Sequence, residues 1–362
     1  TFNFGQDPSF NGGETAPGTN KTDANGRGKF LYDVPTGFLA LVDDNIPQEG
    51  IASPDWVWIK ERSSTSGNML QDSVRGATKN VQSASTNEEQ TSSNKVQSFS
   101  NNGFTVGDGG AVNQSTQTYV AWNWKAGGLA PKQTYVVKVV DDGGNKYRFD
   151  DFGTNAVTLS LQEGGTYTFD QSDSSNALGG AAHPLRFSTT SDGTHGSGSE
   201  YTVGVTTSGT PGSSGAKTVI TVAHGAPTLY YYCSSHSGMG GQANTTATHG
   251  STNLNGSIQS TVSANPDAGF SIVSYTGNGT HGTIGHGLSG LDMVIVKDRD
   301  TAENWAVWHT GIPITKYLRL NDPQEAKTPS RKRWNDTSPT STVFSVGDAS
   351  DQGDREVNLN NE

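Results

Sequence analysis

The stretch Pro54-Asp55-Trp56-Val57-Trp58-Ile59-Lys60-Glu61-Arg62 decides the fold class. Its apolar core is strand-length, alternates large and β-branched residues, and has no helical period. The same reading applies to Tyr119-Val120-Ala121-Trp122-Asn123-Trp124, to Tyr135 through Val140, to Val219 through Val222 and to Met293 through Val296. Turn signals separate these runs: Asp108-Gly109-Gly110, Asp142-Gly143-Gly144 and Asn278-Gly279. With 46 Gly and 14 Pro in 362 residues and only 31% hydrophobic residues, the composition alone would allow disorder. The 7 Trp, 13 Phe and 11 Tyr argue otherwise, because disordered chains lack the aromatics that offset ordering entropy. The expected class is all-β: multidomain β-sandwiches joined by polar, glycine-rich turns.

The opening stretch has a counterpart in Leu291-Asp292-Met293-Val294-Ile295-Val296-Lys297-Asp298-Arg299. Further along, Gly103-Phe104-Thr105-Val106-Gly107-Asp108 matches Val343-Phe344-Ser345-Val346-Gly347-Asp348 in the same order. Two copies of one β unit are therefore expected to flank a different central segment. The strand Tyr119–Trp124 that closes the first copy projects onto the second at about residue 359, where the sequence stops. Thr1-Phe2-Asn3-Phe4-Gly5-Gln6 likewise reads as a strand without a preceding partner, so the chain is expected to be a piece of a longer protein.

Several classes fall away. No window approaches 18 consecutive apolar residues, so no membrane-spanning helix or membrane insertion is expected. A net charge of −11 disfavours nucleic acid as a partner. The strongest basic cluster, Arg331-Lys332-Arg333, reads as a solvated loop. The tryptophans Trp56, Trp58, Trp122 and Trp124 have a spacing suited to stacking on sugar rings, but strand alternation points more to core packing. Enzyme signatures are missing, and the adjacent pairs Glu88-Glu89, Asp141-Asp142 and Asp150-Asp151 do not form the spaced carboxylates of a glycosidase. The chain is read as a non-enzyme.

One cysteine, Cys233, excludes an intrachain disulfide framework and draws attention to its surroundings. In Tyr230-Tyr231-Tyr232-Cys233-Ser234-Ser235-His236-Ser237-Gly238-Met239-Gly240-Gly241, a thiol, an imidazole and a thioether recur three residues apart. Upstream, Ala182-His183-Pro184-Leu185-Arg186-Phe187 supplies a second histidine beside a strand-like run. Two His and one Cys with a weak axial Met form the ligand set of blue-copper sites. The bland alternative is an empty structural module, with Cys233 as a small buried hydrophobe and Met239 as a core filler. Of the remaining histidines, His195, His224, His249 and His309 show no ligand spacing, and His281 and His286, the one pair spaced closely enough to consider, read as turn residues. Asp348-Ala349-Ser350-Asp351-Gln352-Gly353-Asp354 reads as a solvated acidic loop, since no full calcium-loop pattern is present.

Over residues 135–246 the sequence resembles the cupredoxin family, a Greek-key sandwich. The resemblance rests on the early His and on an aromatic strand running into Cys-x-x-His-x-x-Met-x-Gly. It implies His183, Cys233 and His236 as equatorial ligands, Met239 as the axial one, and copper as the cofactor. Where that family often carries Asn after the first His to tie the ligand loops together, this chain has Pro184.

The flanking segments carry a second resemblance. Tyr32-Asp33-Val34-Pro35-Thr36-Gly37-Phe38-Leu39-Ala40-Leu41, after the Phe2–Gln6 strand, looks like the closing strands of an SPRY/concanavalin-like sandwich over 1–41. Residues 42–128 and 269–362 are similar to a repeat of large virion proteins of marine bacteriophages, especially cyanophages. The intervening stretches, 129–134 and 247–268, read as flexible linkers. This resemblance implies a phage structural protein on the virion surface, in a tail fibre or related appendage for host attachment. Its implied partners are other virion proteins, further copies of itself (a trimer would suit a fibre) and a host surface glycan. Two alternatives stay open: a capsid-decorating or cement protein, and a secreted copper protein with electron-transfer function.

Overall fold

The computed structural model describes residues 54–100, 103–128, 130–328, 332–348 and 355–360. The SPRY-like reading of 1–41 lies outside these residues, as do Arg331 and positions 349–354 of the acidic loop. Among the described residues the chain is all-β, built from twenty-five short strands with two single-turn α-helices.

The first repeat comprises β1 (Trp56–Glu61), β2 (Met69–Asp72), β3 (Lys79–Gln82), β4 (Gln90–Thr91), the hairpin β5 (Val96–Ser100) and β6 (Gly103–Val106), helix α1 (Gly110–Asn113) and β7 (Tyr119–Trp124). The strands β4-β3-β2-β1-β7 form one sheet. Alternation sends Val57 and Ile59 inward, where they meet Met69, Val96 and Val112. The buried Gln71 amide fastens the hairpin to the sheet by donating to the Val96 carbonyl and accepting from its N–H, both at 3.2 Å. Trp56 and Trp58 are half-buried on the other face of β1, packed against the buried cluster of Leu70, Val81 and Trp305, in keeping with the packing expected of them. Trp122 and Trp124 stay 46% and 37% exposed, though Trp124, like Trp56, lies against the Phe270 ring, at 6.2 and 5.9 Å between centroids.

The central segment comprises β8 (Lys132–Asp141), β9 (Asn145–Phe149), β10 (Leu159–Gln162), β11 (Thr166–Asp170), β12 (Leu185–Ser188), β13 (Glu200–Tyr201), β14 (Val205–Ser208), β15 (Lys217–Thr221), β16 (Leu229–Cys233) and β17 (Gly241–Thr246). Two five-stranded sheets result, β10-β17-β16-β12-β13 and β14-β15-β11-β8-β9. Most pairings are antiparallel, but β8 runs parallel to β11 and β10 parallel to β17. Inward residues of both sheets share one core, so this is a two-layer sandwich. Its bulk is aromatic, and the buried hydroxyls find partners. Tyr135 donates to the Thr252 carbonyl at 2.8 Å, Tyr147 to His183 at 2.9 Å and Tyr231 to Val157 at 2.7 Å.

The last part holds β18 (Ser251–Asn253), β19 (Ser260–Asn265), β20 (Phe270–Tyr275), β21 (Gly282–Gly285), β22 (Met293–Val296), β23 (Ala306–His309), β24 (Leu318–Arg319), β25 (Val343–Val346) and helix α2 (Arg355–Asn358). The meander β22-β23-β24 repeats the antiparallel order of β1-β2-β3. Two joints expected from sequence are structured instead. Strand β8 starts inside 129–134, and β18 and β19 lie within 247–268. Polar content misled here: Ser251, Thr252, Ser260 and Ser263 are buried but satisfied by strand pairing and by hydrogen bonds such as Ser160 N–H to Thr252 Oγ1 at 2.7 Å.

Buried charges tie the two repeats together. Glu89 sits between Arg75 and Arg299, each at 2.9 Å. Burial pulls its carboxyl pKa up, but the two guanidiniums outweigh that and hold it below the ordinary value. Arg333, read as part of a solvated loop, is 2% exposed, pairs with Glu356 at 2.8 Å and lies over the Tyr317 ring at 3.6 Å. Local sequence could not show that an acid and an aromatic wait for it in the fold.

Asp55 is the densest of these joints. Its fully buried carboxylate accepts from Ser73 Oγ at 2.7 Å and Ala126 N–H at 2.8 Å, and pairs with Nδ1 of the buried His249. His249, dismissed from sequence, thus joins the end of the sandwich to the first repeat. Replacing Asp55 with Ala strands three buried polar groups at once. The expected loss is about 3 kcal/mol of unfolding free energy, read from urea denaturation, since each unsatisfied buried group costs roughly 1–3 kcal/mol. A loss indistinguishable from that of an exposed control such as Asp267→Ala would refute this role.

Candidate metal centre

Cys233 ends β16 and is fully buried, as is Met239 after the turn that follows. His183 precedes β12 and is 1% exposed, while His236 is half-buried. Strand pairing sets their approach, because Leu185 lies opposite Cys233 in the β12–β16 register. The ligand atoms of His183, Cys233 and His236 all lie within 4.8 Å of one another. Among the described residues this is the one such group of metal-ligating side chains, and it can hold a metal ion.

The spacing is informative. Cys233 Sγ lies 3.9 Å from His183 Nδ1 and 3.8 Å from His236 Nδ1. Both separations are short enough for one ion to bond the sulfur and either nitrogen, with bonds of about 2.3 Å and about 2.05 Å. The rings of the two histidines are 4.6 Å apart between centroids. Burial first, and then the neighbouring His236, push the His183 pKa below its ordinary value. His183 is thus held neutral, the form in which imidazole binds metal.

The backbone around these groups is tightly held. The His183 N–H donates to Asn176, and its carbonyl accepts from Tyr147 Oη and from Gln171 Nε2 at 2.7 Å. Pro184 departs from the family pattern, yet the two ligand loops are still tied: Ser234 N–H donates to the Pro184 carbonyl at 3.0 Å. His195, which showed no ligand spacing, stands behind the centre with its Nε2 3.0 Å from the Cys233 carbonyl. On the turn, Gly238 is pinned by the Asp192 carboxylate through its N–H and by Lys146 through its carbonyl.

Gly240 is needed by close approach. A Cβ there would lie 1.8 Å from the Tyr231 carbonyl oxygen, a backbone atom that cannot swing away. Gly240→Ala is expected to cost about 2 kcal/mol of stability, the scale of core overpacking, and to loosen the turn that carries His236 and Met239. Thermal melting and the NMR signals of His236 check this; an unchanged melt with unmoved signals would refute it.

Comparison with known proteins comes out one-sided. No curated protein matches the chain, and no solved structure does. A family model described as "Domain of unknown function (DUF7483)" matches residues 44–137 and 242–360, together more than half of the chain. The metal-ligating residues fall between these two stretches. The chain therefore belongs to the DUF7483 family, with the candidate metal centre in the segment that the family model leaves out.

Proposed function

We propose that this chain is a structural protein of a bacteriophage particle, part of a tail fibre or surface appendage, whose central sandwich binds copper. The observation that carries the copper reading is the buried cluster of one thiol and two imidazoles at 3.8 and 3.9 Å. One thiol and two imidazoles, with a methionine following on the same turn, are the donor types that blue-copper sites use. His183, Cys233 and His236 would hold the ion, and the thioether of the buried Met239 would be a further soft donor. Copper there would supply a tightly bound cross-link between the two ligand loops. The chain's own residues keep His183 neutral, exclude water from Cys233 and hold the loops in register.

The role proposed for the metal is stability, because binding to the folded state alone raises the unfolding free energy. Titrating the full chain with Cu(II) should produce an intense visible charge-transfer band and a higher melting temperature. His236→Ala, at a half-exposed position, should remove the band while leaving the metal-free melt nearly unchanged. A colourless titration with no rise in melting temperature would defeat the copper reading. Electron transfer would instead show as reversible reduction of that band at a defined potential.

The virion reading is supported by the resemblance of residues 42–128 and 269–362 to the phage repeat and by the solvent-facing Trp122 and Trp124, which suit stacking against a surface glycan. Gold-labelled antibody on purified particles should decorate the tail, and the full chain should bind host cells or their lipopolysaccharide. Labelling of the head without cell binding would replace the adhesion role with capsid decoration.

A further inference from the structure

Pairing of β12 with β16 brings His183 toward Cys233, yet the pairing is weakened just where the ligands sit. Leu185 lies opposite Cys233, which puts Pro184 opposite Ser234. Ser234 N–H donates to the Pro184 carbonyl at 3.0 Å, so these two residues form a hydrogen-bonded pair. Proline has no N–H, and the pair therefore keeps one bond of its two. Leu185 and Cys233 form the next, non-hydrogen-bonded pair, so the N–H and C=O of Leu185 point away from β16. On that side β13 pairs only with Phe187 and Ser188.

The other sheet of the sandwich supplies the missing partners. Gln171, directly after β11 and 1% exposed, donates to the His183 carbonyl at 2.7 Å and accepts from the Leu185 N–H at 3.0 Å. One side chain thus grips the backbone on both sides of Pro184. Its remaining N–H goes to Asn176 Oδ1 at 3.1 Å, which uses both donors and fixes the orientation of the amide. Tyr147, on β9, donates to the same His183 carbonyl at 2.9 Å. Thr218, on β15 and fully buried, donates to the Leu185 carbonyl at 2.9 Å. Strands β9, β11 and β15 all belong to the sheet facing the one that carries Cys233.

We infer that Gln171, with Tyr147 beside it, is the positioning residue of the first ligand: from the facing sheet it sets where His183 stands before any metal ion arrives. The inference rests on the metal-binding reading of the centre and adds to it a residue that touches none of the bound ion's own donor atoms. An amide suits the place, because one side chain there must offer an acceptor and two donors together. An ionised carboxylate offers acceptors only, and an ammonium offers donors only.

The test uses the full chain and Cu(II). Gln171→Met keeps the length of the side chain and removes its hydrogen bonds. It should weaken Cu(II) binding about 10–100-fold, the usual effect of removing a group that orients a ligand, and should shift the charge-transfer band. In the metal-free variant, the proton–proton NOE between the rings of His183 and His236, whose centroids are 4.6 Å apart, should be lost. Tyr147→Phe removes one donor to the same carbonyl and keeps the ring in the core. It should act in the same direction more weakly, keeping the test valid if Gln171→Met does not fold. Gln162→Met is the control for a purely structural role. That buried glutamine of the same sandwich donates to the Gly128 carbonyl at 2.8 Å and accepts from the Gly250 N–H at 2.7 Å. Its loss should lower the melting temperature while leaving Cu(II) affinity, band and NOE unchanged. Unchanged affinity and NOE in either folded variant of Gln171 or Tyr147 overturn the inference, as does an equal loss of affinity in Gln162→Met. If the unaltered chain takes up no Cu(II), the copper reading fails. The positioning role is then decided by the metal-free NOE, and its persistence in the variants overturns that role.

Discussion

A short strand can send only every second side chain to one face, and this chain must build all its cores from strands of that kind. In the first repeat one face of β1 goes to Val57 and Ile59, and the other lays Trp56 and Trp58 against Leu70, Val81 and Trp305. In the second they go to Val294 and Val296, leaving Met293 and Ile295 outside. In the sandwich the inner positions hold tyrosine and phenylalanine, whose area compensates for the small number of residues available. The buried hydroxyls this introduces are satisfied by backbone carbonyls, some of them on the segment after the sandwich, as with Tyr135 and Thr252. Core filling and the attachment of neighbouring segments are thus one set of interactions.

The candidate metal centre inherits its rigidity from the same arrangement. Cys233 belongs to the aromatic core, and the His183 carbonyl receives the hydroxyl of Tyr147, another core residue. The ligand atoms come together on a backbone already fixed by β12–β16 pairing, by the Ser234–Pro184 hydrogen bond and by the approach of Gly240 to Tyr231. Little further ordering would be left for a metal ion to impose, so any binding free energy would go to the folded state as a whole. The lowered pKa of His183 acts in the same direction, since a neutral imidazole loses no proton on binding.

The repeats are held to one another and to the sandwich by buried polar groups in specific pairs. Glu89 with Arg75 and Arg299 joins the two repeats, Asp55 with His249 joins the first repeat to the end of the sandwich, and Arg333 with Glu356 and Tyr317 fastens the second repeat internally. Such groups specify an arrangement more sharply than apolar contact, because a misplaced partner leaves a buried charge unmatched.

Much of this was legible in the residues themselves. The all-β class followed from period-two runs and glycine turns, and the matched stretches around Trp56 and Met293 marked the repeat. The group of Cys233, His236 and His183, which could hold a metal ion, followed from residue type and spacing. Each of these is a local property: alternation, turn chemistry and donor identity are written within a few neighbouring residues. What the tertiary structure alone decided concerns which distant group meets which. It packed Trp56 and Trp124 against Phe270, buried His249 and Arg333 against carboxylates, and made strands of Ser251–Asn253 and Ser260–Asn265. The physical reason is that a polar residue reads as exposed until its partner is placed, and the partner lies far along the chain.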